Sequence, residues 1–214
     1  MGGHPQKVSA SKKVGGPPIA RLAVLRYRHA VQIPDALRSS VLQRMRRMDR
    51  AARAVLMRAA VIGRRFSVSL LTETVSCSES KVRAALQAAC ALQLVGAENP
   101  ASDFYMFRHA LTRDIIYAEL LSVRVRSFHL KIARALERAH TTGDAQLEDL
   151  AYHFWAAGDV ARAVGYNELA GDNALAVQAQ GDARTYYIRA RSLLEIDATA
   201  YDRLTAKLRA MDEP

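Results

Sequence analysis

The run with the most chemistry in this sequence is Phe107-Arg108-His109-Ala110-Leu111-Thr112-Arg113. Its aromatics read as the end of a strand, and the apolar spacing after His109 reads as a helix. A histidine at a helix N-terminus can donate a ring N–H to a phosphate oxygen, helped by unpaired backbone N–H groups and the helix dipole. Arg108 and Arg113 would add positive charge to such a site. From the residue types alone a plainer role fits as well, in which His109 caps the helix or packs on the strand before it.

A second set of residues could meet DNA. Arg46, Arg47 and Arg50 belong to a dense basic run, and Lys81, Arg83 and Gln87 fall along one later helix. Lysine and arginine neutralise phosphates, and glutamine can read an adenine edge. Against this, Glu98 and Asp103 flank a predicted turn and would repel a phosphate backbone. A solvated basic face is the ordinary role of such a run.

Other chemistries lack their residues. No Gly-x4-Gly-Lys-Ser/Thr loop occurs, and no glycine is followed by lysine, so a phosphate-cradling loop has no candidate. Neither His-Glu-x-x-His nor Gly-x-Ser-x-Gly is present. The histidines at 4, 29, 109, 129, 140 and 153 do not cluster with acids or cysteines at metal-ligand spacing. Cys77 and Cys90 are the only cysteines and bracket a helix, which reads as packing rather than a disulfide framework. No enzyme, no resident cofactor and no metal are expected of this chain.

Charge narrows the partners. The net charge is +10 over 214 residues. Residues 1–60 carry 13 basic residues against Asp35 and Asp49, for +11; residues 61–141 carry +4 and residues 142–214 carry −5. A nucleic-acid argument must therefore rest on the first part of the chain. No apolar run approaches the roughly 18 residues that a membrane helix needs. With so few cysteines, a cytoplasmic setting is expected.

The elements that must position these residues are mainly helical. Residues 1–32 read as a basic, flexible segment rich in glycine and proline. Residues 33–108 read as a winged-helix domain. Leu37, Val41, Met45 and Met48 lie on one stripe of a helix opened near Pro34. Asp49 caps a second helix with Ala52, Val55, Leu56 and Ala59 inward and Gly63 at its end. Ser67 caps a short third helix with Leu70 and Leu71. Ser76 or Ser78 caps a fourth, with Val82, Leu86, Ala89 and Cys90 inward. Leu94-Val95 and Phe104–Phe107 then make a two-stranded β-hairpin, the wing. Residues 109–141 read as connecting helices. Residues 142–214 read as TPR-like helical hairpins, in which Gly158-Asp159 and Gly181-Asp182 mark equivalent turns 23 residues apart. Apolar faces there, including Trp155, Tyr166, Tyr186 and Tyr187, would dock a protein partner or simply fill a core.

Three runs share an order with a known family. Ala59-Ala60-Val61-Ile62-Gly63-Arg64-Arg65-Phe66, Phe107-Arg108-His109-Ala110-Leu111, and Leu150-Ala151-Tyr152-His153-Phe154 with Ala157-Gly158-Asp159 resemble the region after the ATPase core of STAND-type regulatory ATPases. That group includes large LuxR-type transcriptional regulators and cyclase-associated ATPases. The resemblance covers about residues 33–195. It implies a winged helix packed on a nucleotide-binding core, followed by helical repeats that serve as a sensor or partner arm. It also implies that His109 matches the histidine that contacts bound ADP in related switch ATPases. Arg108 and Ala110 depart from the methionine and aspartate usual beside that histidine. ATP or ADP would bind only with a core that this chain lacks. Residues 1–30 do not resemble the end of such a core, and no effector domain follows Pro214, so a fragment, a gene remnant and a stand-alone protein are all open readings. The expectation is a non-catalytic regulatory and protein-interaction module. The alternative is a stand-alone winged-helix DNA-binding transcriptional regulator.

Overall fold

The computed structural model describes residues 33–99, 102–120, 122–139, 147–194 and 199–212. The expected N-terminal segment 1–32, Leu121, His140 and the break at Gly143 lie outside them.

Helix α1 (Asp35–Arg46) buries Val41 and Met45, and Met48 follows them inward. Pro34 stands at its N-cap position, one residue before the first helical residue. Helix α2 (Arg50–Ile62) is capped by Asp49, whose Oδ1 accepts from the Ala52 N–H at 2.7 Å, and it ends at Gly63. Strand β1 (Arg65–Ser67) leads into α3 (Val68–Thr74), where the Ser67 hydroxyl accepts from the Leu70 N–H at 3.1 Å. Helix α4 (Glu79–Ala91) buries Val82, Ala85, Leu86 and Ala89, and leaves Cys90 half-buried. Ser78 holds its N-cap position without a side-chain bond to the helix.

Strands β2 (Val95–Ala97) and β3 (Phe104–Phe107) form the expected hairpin, but the sheet has three strands, not two. The order is β1-β3-β2, all antiparallel, with Phe66 opposite Tyr105 and Val95 opposite Phe107. β1 escapes a sequence reading because it is three residues long with one buried side chain, Phe66. Only its pairing with β3, almost forty residues later, makes it a strand.

Beyond β3 every regular element among the described residues is a helix. These are α5 (Ala110–Ala118), α6 (Ser122–Ala139), α7 (Leu147–Ala157), α8 (Val160–Ala176), α9 (Gln180–Arg191) and α10 (Thr199–Ala210). Leu120 falls just beyond α5 rather than within it.

Three apolar cores follow one another along the chain. The first gathers α1 to α5 and the sheet, with Ile115 and Ile116 of α5 inside it. The second joins Val61 of α2 to Ile132, Ala133 and Leu136 of α6, Leu150 and Phe154 of α7, and Ala163 of α8. The third holds α8, α9 and α10 through Ala174, Ala183, Tyr187, Ala190, Leu204 and Leu208. Small residues set the spacing in the array: a Cβ on Gly171 would lie 2.5 Å from Cε1 of the buried Tyr187 ring.

The turns of the array correct one expectation. Gly158, at φ 78°, does turn α7 into α8, and Asp159 caps α8. Gly181 and Asp182, however, lie inside the first turn of α9. The equivalent turn is made by Gln178 at φ 61°, 20 residues after Gly158. The hydrogen bonds match: Asp159 N–H to the Phe154 carbonyl, and Ala179 N–H to the Ala174 carbonyl. The same knot ends α4, where Gln93 takes φ 57° and Leu94 N–H reaches the Ala89 carbonyl.

Candidate functional site

The corner between β3 and α5 is built from both sides. Phe107 is buried and ends the strand, its N–H donating to the Arg64 carbonyl at 2.9 Å. The Arg108 N–H donates to the Leu94 carbonyl at 3.3 Å. The chain is thus pinned by two neighbouring segments where it leaves the sheet. His109 takes an extended backbone (φ −132°, ψ 142°) at the N-cap of α5, and its carbonyl accepts from the Thr112 N–H at 3.0 Å. Arg108 and His109 are both exposed, and the His109 side chain makes no capping bond to α5. Of the plainer roles for His109, side-chain capping is therefore absent.

Arg113 does not join them. It is buried, its Nε donates to the Ala60 carbonyl at 2.8 Å, and its guanidinium lies 5.0 Å from the Tyr117 ring. Four residues apart within a helix the two would share a face, but His109 has an extended backbone outside α5, whereas Arg113 lies on the buried face of α5 with Thr112 and Ile116. Arg113 ties α5 to the end of α2.

Behind Arg113 lies a buried polar cluster that the sequence reading did not single out. His129 of α6 and His153 of α7 are fully buried, with their Nδ1 atoms 2.7 Å apart. Tyr117 Oη is 3.0 Å from His129 Nε2. The Ile62 backbone acts on the His153 ring as an acceptor, partly offsetting the effect of burial. Burial, with the neighbouring His153 and Arg113, pushes His129 well below its usual value. Burial pushes His153 down to about 3, Arg113 adding to the effect. A signal existed: His129 lies on the apolar stripe Val125, His129, Ile132, Leu136, and His153 sits between Leu150 and Phe154. Beside the cluster, Arg58 is buried with its guanidinium 3.5 Å over the Phe128 ring. Its Nε and Nη1 have no hydrogen-bond partner among the described residues, and burial pulls it down to about 10.

The residues of the DNA alternative do not form one patch. Lys81 and Gln87 are exposed on α4. Arg83 is engaged by Glu79 at 2.7 Å and Asp103 at 3.0 Å. Arg46, Arg47 and Arg50 are exposed, and Arg44, just before them in the chain, bonds the Leu92 and Gln93 carbonyls at the other end of α4. From Lys81 to Leu92 the helix runs about 16 Å. Glu98 and Asp103 are not bare charges either. Glu98 makes a two-pronged pair with Arg65 at 3.1 and 3.0 Å, and that pair holds its carboxyl below the usual range. Asp103 accepts from the Ser69 N–H at 3.2 Å as well as from Arg83.

The expected docking aromatics are mostly packed. Tyr187 is fully buried and donates to Asp172 at 2.6 Å. Tyr166 stacks on Phe154 at 5.3 Å and donates to Glu137. Trp155 and Tyr186 flank the Arg189 guanidinium, at 5.0 and 5.7 Å. Tyr187 is thus withdrawn from any docking face. The exposed large apolar residues are others, led by Val177 at 74% and Leu169 at 51%.

Among the described residues no group of three or more His, Cys, Asp or Glu is placed to hold a metal ion. No helix among them is long and apolar enough to cross a membrane. Compared with protein families, curated proteins and solved structures, the chain matches none of them.

Proposed function

We propose that this chain is a regulatory protein-interaction module of the kind that follows the nucleotide-binding core of a STAND-type ATPase. In this reading α1 to α4 and the three strands are a winged helix, α5 and α6 connect it to the array, and α7 to α10 are TPR-like hairpins. The observation that carries it is the corner. His109 stands at the opening of α5 with its ring exposed and unused as a cap, next to an exposed Arg108. An exposed ring and an exposed guanidinium on successive residues where a strand opens into a helix suit a phosphate brought by another domain. ATP or ADP belongs to that partner, and this chain supplies contacts rather than turnover. Arg113 contributes by holding α5 in place, not by touching a phosphate.

The test is binding of the full chain to a purified STAND-type nucleotide-binding core loaded with ADP, followed by calorimetry. Loss of one charge-assisted bond is expected to weaken binding by about tenfold or more in His109→Ala and in Arg108→Ala. Equal binding by wild type and both variants would overturn the reading. The DNA alternative draws on the exposed Arg46, Arg47 and Arg50. It predicts duplex affinity that falls steeply with salt; no binding at low ionic strength removes it.

A further inference from the structure

The buried histidine pair stands where four elements meet. Tyr117 comes from α5, His129 from α6, His153 from α7 and the Ile62 carbonyl from α2. Two ring nitrogens 2.7 Å apart hold one proton between them. With none their lone pairs repel, and with two their N–H bonds do. A carbonyl only accepts, so Ile62 favours His153 carrying its proton on the nitrogen turned away from His129. His153 Nδ1 then accepts from His129 Nδ1–H, and His129 Nε2 accepts from the Tyr117 hydroxyl. Every group in this chain is satisfied when both rings are neutral. A proton added at His153 Nδ1 destroys the central bond. A proton added at His129 Nε2 leaves two donors facing each other unless Tyr117 turns. Either one also places a cation in a buried site that already faces Arg113.

We propose that Tyr117, His129, His153 and the Ile62 carbonyl form an acid-operated latch, which clamps α6 and α7 onto α2 and α5 while uncharged and releases them on taking up one proton. The titratable and charged groups that face the pair are Arg113 and Tyr117 from α5 and Tyr152 from α7, whose ring lies edge-on to His129 at 5.4 Å. From α2 the contact is the Ile62 carbonyl. Arg113 is itself paired with Asp114, its Nη1 3.3 Å from Oδ1. The flanking cores of α1–α5 and α8–α10 do not pass through the pair, so release need not unfold them. The latch is independent of the proposed nucleotide-linked role.

The sign follows from linkage. Both rings sit below the ordinary histidine value in the folded chain. The open state therefore binds the proton better, and closure weakens as pH falls below about 6.5. Each ring still neutral in the closed state costs about tenfold in the closing equilibrium per pH unit. Carboxylate pairs are lost later: Glu168, held down to about 2 by Arg203 and Lys207, yields only below its ordinary value near 4.5.

The experiment is amide hydrogen exchange on the full chain from pH 7.5 to 5, corrected for intrinsic rates. The result expected is loss of protection in α6 and α7 between pH 6.5 and 5, while α1 to α4 stay protected. Uniform loss throughout the chain, or no acid effect above pH 5, overturns the latch. His153→Gln keeps an amide nitrogen near the ring position and does not titrate; with His129 alone left to take up a proton, its loss of α6–α7 protection is expected to be about tenfold smaller per pH unit than in wild type, and an unchanged slope overturns the latch. If that variant does not fold, ring nitrogen shifts of wild type decide. Both rings neutral until α6–α7 opens supports the latch, and either ring charged in the closed chain overturns it.

Discussion

The chain places histidine in two opposite settings. At the strand–helix corner, His109 is exposed and its ring makes no capping bond to α5. At the junction, His129 and His153 are buried and bonded to each other, with Tyr117 on the far nitrogen of His129. The corner can therefore give its ring to a ligand at little cost to stability. The junction cannot give up either ring, and it cannot charge one either. A residue type alone does not distinguish these uses; burial and satisfied bonds do.

The comparison can be broken at its strong side first. His153→Ala is expected to lose about 3–5 kcal/mol, from the cavity and from the orphaned His129 nitrogen, measured by urea unfolding at pH 7.5. Arg113→Ala tests whether that residue belongs to the junction rather than the corner. Loss of its bond to the buried Ala60 carbonyl and of its packing on Tyr117 is expected to cost about 2–3 kcal/mol by the same measurement. A corner role would leave stability nearly unchanged. Gly171→Ala is a packing control away from both sites, and the clash with the Tyr187 ring is expected to cost about 1–3 kcal/mol. His109→Ala is the weakest, with a shift within about 0.5 kcal/mol expected, as for an exposed residue. A loss of several kcal/mol there would make His109 a structural residue and erase the contrast.

Much of the frame was legible in the sequence because local rules decide it. Asp49 and Ser67 cap the helices they precede, and Phe104–Phe107 is the strand its aromatics suggest. The stripes of α1, α2 and α4 face inward as spaced. What was not legible depends on distant partners. β1 exists only through β3. Arg113 has a surface residue's chemistry, but α2 covers it and supplies a carbonyl. Gly181-Asp182 has the composition of a turn, yet packing puts the turn at Gln178. His129 and His153, 24 residues apart, become a pair only when α6 and α7 lie side by side.

The three helix ends that share one hydrogen-bond knot carry a last consequence. α7 spends a glycine on its left-handed residue, whereas α4 and α8 spend Gln93 and Gln178. A side chain in that conformation costs roughly 1 kcal/mol that glycine does not. The molecule thus holds unclaimed thermal headroom at two exposed positions. Gln93→Gly and Gln178→Gly should each raise the melting temperature by a few degrees, with neither histidine site altered.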